Sequence, residues 1–112
     1  MTQDMSFETA ARCLADLGHP HRLLVFRLLV QAGEMGMPVG AIQHRLGIPK
    51  STLAHHLAQL MASGLMTQSR EGRVLRCRID AGAANALLQF FVVDCCDGLP
   101  DLNALRALLP AG

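Results

Sequence analysis

Between Phe7 and Leu17 the apolar residues Phe7, Ala10, Ala11, Leu14 and Leu17 recur at three and four positions, the spacing of one helical face. Ser6 stands where an N-cap belongs, Glu8 falls in the first turn, and Gly18 stops the run. His19-Pro20-His21 then makes a turn in which the proline suits a first helical position. A second helix over Arg22 to Ala32 carries Leu23, Leu24, Phe26, Leu28, Leu29 and Val30, apolar on most sides and therefore central to the core. Gly33, Gly36 and Pro38 punctuate the passage to a short helix, Val39 to Leu46, with Val39, Ile42 and Leu46 facing inward. Gly47 ends that helix, and Ile48-Pro49 turns the chain into the next, which runs from Ser51 and is anchored by Leu53, Leu57 and Leu60.

Two short helices joined by a tight turn between Pro38 and Gly64 have the order of a helix-turn-helix. Projected at about 100° per residue, Ser51, Thr52, His55 and Gln59 point away from the leucine stripe. They are the candidates for base edges or phosphates in a major groove. Beyond Gly64, Leu65 to Gln68 and Val74 to Ile79 read as strands around Arg70-Glu71-Gly72-Arg73, a hairpin wing. Leu75, Cys77 and Ile79 alternate with Val74, Arg76 and Arg78, so Cys77 reads as a small buried hydrophobe. Asp80 can cap a helix from Ala81 to about Asp97 that is apolar almost all round and needs cover on more than one side. Asp101 opens a last short helix through Leu109.

The expected fold is mainly α with a small β-hairpin, a winged helix-turn-helix. Neither internal repeats nor a low-complexity linker interrupts the 112 residues, which predicts a single DNA-binding domain over 1–112. Its DNA-reading part covers about 38–79 and its dimerisation helices about 7–17 and 81–97. With 51% hydrophobic and 17% charged residues the chain is globular, and so apolar a small chain leaves surface for a partner. A homodimer is the economical answer.

The net charge of +1 hides a segregation. From Gln43 to Arg78, Arg45, Lys50, Arg70, Arg73, Arg76 and Arg78 stand against Glu71 alone, a local +5 that leaves −4 elsewhere. Basic side chains gathered on one element neutralise phosphates, so Lys50, Arg70 and Arg73 join the DNA-contact candidates, Arg73 at the hairpin tip. Met1 to Glu8 lacks the pattern of a signal peptide. The longest apolar run, Ala86 to Val93, is broken by Gln89 and falls short of the roughly 20 residues that span a bilayer. The expectation is a cytoplasmic protein without membrane contact, with Cys13, Cys77, Cys95 and Cys96 as thiols. No acid/base pair, Gly-rich phosphate loop or nucleophile with a spaced His and Asp is present, which argues against an enzyme. A winged helix that serves as a protein-interaction module without reading DNA is the competing class.

The run LADLGHPHRLLVFRLL, the helix-turn-helix, the segment HHLAQLMASGLM and the wing SREGRVLRCRI together resemble the ArsR/SmtB family of metalloregulatory repressors over roughly residues 7–97. The resemblance implies a homodimer, paired through its first and late helices, that holds operator DNA when ligand-free and needs no cofactor to do so. His56-Leu57 and Ala62-Ser63-Gly64-Leu65 occupy the places of the family's His-Leu pair and small-x-Gly-Leu ending. Ala54 stands where the family often carries a serine two residues before that histidine. His56 lies near the apolar face and His55 points outward.

Family ligand sites vary. The first helix of the helix-turn-helix reads AIQHRL and lacks the family's Cys-x-Cys, and no histidine follows His56 to build its late-helix zinc site. With both of those family sites missing, zinc, cobalt and nickel are disfavoured, and the five histidines are scattered without ligand spacing. Asp94-Cys95-Cys96-Asp97-Gly98 resembles an arsenic-responsive branch with a vicinal cysteine pair at the end of the late helix. The resemblance makes Cys95 and Cys96 ligands for an inducer: arsenite, a methylated trivalent arsenical or antimonite. A methylated arsenical keeps one As–C bond and offers two exchangeable positions, whereas arsenite needs a third donor such as Cys13 or an external thiol. Two other readings stay open for the pair, burial in a dimer interface and thiol redox or persulfide sensing; the flanking Asp94 and Asp97 disfavour thiolate formation and so weigh against the second.

Overall fold

The computed structural model describes residues 5–95. Helix α1, Phe7–Leu17, starts where expected, with Ser6 Oγ accepting the Thr9 N–H at 3.1 Å. Helix α2, Pro20–Ala32, begins at the proline itself, two residues before Arg22, because His19 Nδ1 accepts the His21 N–H at 3.2 Å and caps the first turn. A 3-10 turn, Gly33–Met35, leads to the short strand β1, Met37–Pro38, and then to α3, Val39–Leu46, and α4, Lys50–Ala62. Strands β2, Met66–Glu71, and β3, Val74–Ile79, form the wing, followed by α5, Ala81–Gln89. Asp80 caps α5 by accepting the Ala83 N–H at 3.0 Å. From Phe90 to Cys95 the late helix widens to π winding. Cys96 and the helix expected through Leu109 lie outside the described residues.

The sheet is antiparallel in the order β1-β3-β2. Its hairpin is longer on the β2 side than the expected Leu65 to Gln68, since Ser69, Arg70 and Glu71 pair with Arg76, Leu75 and Val74. Gly72, at φ 64, supplies the first residue of a two-residue loop that ordinary side chains resist. Strand β1 has no counterpart in the hydrophobic pattern; its entry is Gly36, also at φ 64, where a Cβ would strike the Cys77 carbonyl oxygen.

Val25, Leu29, Ile42, Leu53, Leu60 and Leu65 fill the core, joined by Cys13 and Cys77. The leucine stripe of α4 is buried as expected, and so is Ile42 of α3. On α1, Ala10, Cys13 and Asp16 face the core, whereas Phe7 and Leu14 are 75% and 41% exposed. Leu88, Phe91 and Val92 of the late helix are exposed too, and Phe7 meets Phe90 edge-on at 6.1 Å between ring centroids. Helix α2 is less enclosed than expected, with Leu23, Leu24 and Val30 exposed, so the apolar excess of this small chain is spread over α1, α2 and the late helix.

Candidate nucleic-acid interface

Helix α4 divides cleanly. Leu53, His56, Leu57 and Leu60 are buried, Lys50, Ser51, Thr52 and His55 are exposed, and Gln59 is half-buried. The N-cap residue Pro49 offers no side-chain acceptor, so the first N–H groups of α4 remain open beside the Lys50 ammonium. Both features favour an anion there. Lys50, Arg70 and Arg73 line a common cleft of about 540 Å³ between the wing and α3, with Pro38, Gly40 and Gln43 completing its wall. The first residue of α4 and two arginines of the wing, about 20 residues on in sequence, therefore border one cleft.

Two members of the local +5 do other work. Arg76 Nε and Arg78 Nη2 donate to Glu71 at 2.8 and 3.0 Å. Arg76 Nη1 also donates to the Met35 carbonyl at 3.0 Å, and Arg78 Nε to that of Glu34 at 3.0 Å. These arginines tie the wing to the 3-10 turn. Hydrogen bonds from Arg78 and Arg76 hold the Glu71 carboxyl below its ordinary range.

Cys77 is fully buried, with Gln68 Nε2 donating to its sulfur at 3.5 Å, and burial pushes its thiol up. Cys13 is fully buried as well, its thiol donating to the Ser63 carbonyl at 3.5 Å. Burial, and after it the charge of Asp16, push that thiol up, which suits packing of α1 on the end of α4 and disfavours a thiolate ligand. The backbone of Cys95 closes the π segment, while its side chain and all of Cys96 lie outside the described residues.

The histidines are not scattered in space. His19 from the α1–α2 turn, His21 from the first turn of α2 and His56 from α4 bring one potential ligand atom each to within 4.8 Å of one another. Sequence spacing carried no sign of this, because the fold closes a long stretch of chain to bring His56 over His19. Arg22 Nη1 lies 3.5 Å from His56 Nδ1 and its Nε donates to the Asp16 carbonyl at 2.6 Å. Burial pushes His56 down, aided by His19 and Arg22; desolvation and then Arg22 do the same for His19.

A family model described as a helix-turn-helix domain matches residues 17–69. The HTH-type transcriptional regulator YgaV of Escherichia coli is 31% identical over 83 residues, covering 74% of this chain and 82% of that protein. The chain belongs to the ArsR/SmtB family. Nodulation protein NolR of Rhizobium meliloti is 35% identical over 68 residues, 61% of this chain, and the match spans about half of that protein, 53%. Among solved structures, the transcriptional repressor BigR from Xylella fastidiosa superposes with a TM-score of 0.60 at 29% identity, over 79% of this chain and 88% of that one. A homodimeric winged helix-turn-helix DNA-binding domain from Mycobacterium bovis superposes with a TM-score of 0.62 at 24% identity, over 94% and 89%. As an ArsR/SmtB member the chain takes its place among transcriptional regulators rather than enzymes. Among the described residues no helix is long and apolar enough to cross a membrane.

Proposed function

We propose that this protein is a dimeric repressor of transcription that leaves its operator when a trivalent arsenical or antimonite is held by Cys95 and Cys96. The observation that carries the DNA-binding part is the shared surface of Lys50, Arg70 and Arg73 beside the exposed Ser51, Thr52 and His55 of α4. Helix α4 enters the major groove, and the wing carrying Arg70 and Arg73 follows the flanking phosphates. Gln59, half-buried, reaches the groove only at its edge. The exposed Phe7, Leu14, Leu88, Phe91 and Val92 support a two-fold partner on α1 and the late helix. The repressor name of BigR supports repression.

Support for the inducer comes from the adjacency of the two cysteines in sequence and from the π winding that replaces the regular helix from Phe90 to Cys95. Side chains of neighbouring residues on a regular helix diverge by about 100°, so bridging one arsenic atom needs the altered winding of a helix end. Two thiolates satisfy methylarsenite. Because the Cys13 thiol is engaged in the core, arsenite takes its third donor from an external thiol. Binding at the late helix respaces the two recognition helices by favouring one of two dimer geometries.

The test is release of promoter DNA followed by fluorescence anisotropy. Methylarsenite frees the wild-type protein and leaves the Cys95→Ser, Cys96→Ser double variant bound. Release of that variant would place the inducer site elsewhere, and release only by a sulfane-sulfur donor would replace arsenic sensing with thiol oxidation.

A further inference from the structure

We propose that His19, His21 and His56 form a binding site for a divalent transition metal of the zinc, cobalt or nickel class, tying the α1–α2 turn to α4. The three rings come from two separate parts of the fold, with centroids 4.4 Å apart for His19 and His56 and 5.6 Å for each pair that includes His21. Their ligand atoms already lie within 4.8 Å of one another. A tetrahedral ion with metal–nitrogen bonds of about 2.0–2.1 Å sets its donors about 3.4 Å apart. Small side-chain rotations close that gap. Three imidazoles with an open fourth position suit a borderline ion, which a water or an exogenous ligand completes.

Metal competes here with two existing contacts. His19 Nδ1 accepts the His21 N–H, so the neutral ring carries its proton on Nε2. Coordination through Nε2 moves that proton to Nδ1, and coordination through Nδ1 uses the lone pair directly; either way the cap of α2 is exchanged for a metal bond. At His56 a guanidinium can only donate, so Nδ1 is the acceptor facing Arg22, and an ion bound there displaces Arg22 Nη1 while the 2.6 Å bond from its Nε to Asp16 can persist. Occupancy is therefore coupled to the start of α2 and to the seating of α4, where the residue preceding His56, His55, is exposed. The input is separate from Cys95 and Cys96 and does not depend on the inducer reading.

The experiment is a Co²⁺ titration of the full-length, reduced, metal-stripped protein followed by visible absorption. The expected result is a single equivalent per chain with nitrogen/oxygen-type bands and no thiolate charge-transfer band, unchanged in the Cys95→Ser, Cys96→Ser variant. His21→Gln and His19→Gln each weaken binding by at least about tenfold, since losing a ligand costs no less than losing a group that orients one. Because His56 is buried, its part is read without mutation: on adding Zn²⁺ the ring resonances of His19, His21 and His56 shift while that of His44 stays. A thiolate band that vanishes in the cysteine variant, unchanged affinity in His21→Gln, an equal shift at His44, or no binding would each overturn the site.

Discussion

Glu71 joins the two arginines that lace the wing, accepting from Arg76 and Arg78 at 2.8 and 3.0 Å. Its folded-state pKa is depressed below the ordinary 4.5, so its contribution is present above that value and is lost as pH falls through the lower folded value. Amide hydrogen exchange of β2 and β3 should therefore accelerate in that acid window, and Glu71→Gln should remove the window while raising exchange at neutral pH. An unchanged profile in the variant would contradict the role. What was legible at this scale was the inward side of α4: Leu53, Leu57 and Leu60 announced themselves by spacing. The fates of Arg76 and Arg78 were not legible, because a charge count cannot tell a cation that meets DNA from one whose partners are Glu71 and two carbonyls of a distant turn. The histidine cluster was hidden for the same reason, its members being neighbours only after α4 packs near α2.

At the scale of elements, helix limits followed closely from caps and breakers: Ser6, Gly18, Gly47 and Asp80 act where their chemistry places them. Strand β1 escaped because two residues carry no alternation. It exists because Met37 and Pro38 pair with Cys77 and Arg76, and because Gly36 lets the chain approach β3. Gly36→Ala would combine an unfavourable φ with a collision against backbone, so it should destabilise the protein by about 1–3 kcal/mol in urea denaturation. Gly33→Ala, strained in φ alone with open space for its Cβ, should cost less. Equal effects at the two positions would remove the close approach as the cause. The outward side of α1 was legible only in part: periodicity shows that Phe7, Ala11 and Leu14 share a side, not whether the same chain covers it.

For the whole molecule, that uncovered side and the basic surface are the two features with consequences. Phe7 is 75% exposed in the single chain, so Phe7→Glu should leave the monomer folded by circular dichroism while sedimentation equilibrium shows a shift from dimer toward monomer. A dimer of undiminished strength would move the partner surface elsewhere. The family and its winged fold could be read from the chain, and so could the local excess of cations that includes Lys50, Arg70 and Arg73. Their assembly into one cleft could not, since Lys50 meets Arg70 and Arg73 only through the packing of the wing beside α3. The most direct test of the account is the salt dependence of binding to promoter DNA. Affinity should fall linearly with salt on logarithmic axes, and Lys50→Ala, Arg70→Ala and Arg73→Ala should each reduce the slope by about 1.8, because each removes one phosphate contact from both protomers of the dimer. Affinity indifferent to salt, or slopes unmoved by all three substitutions, would contradict it.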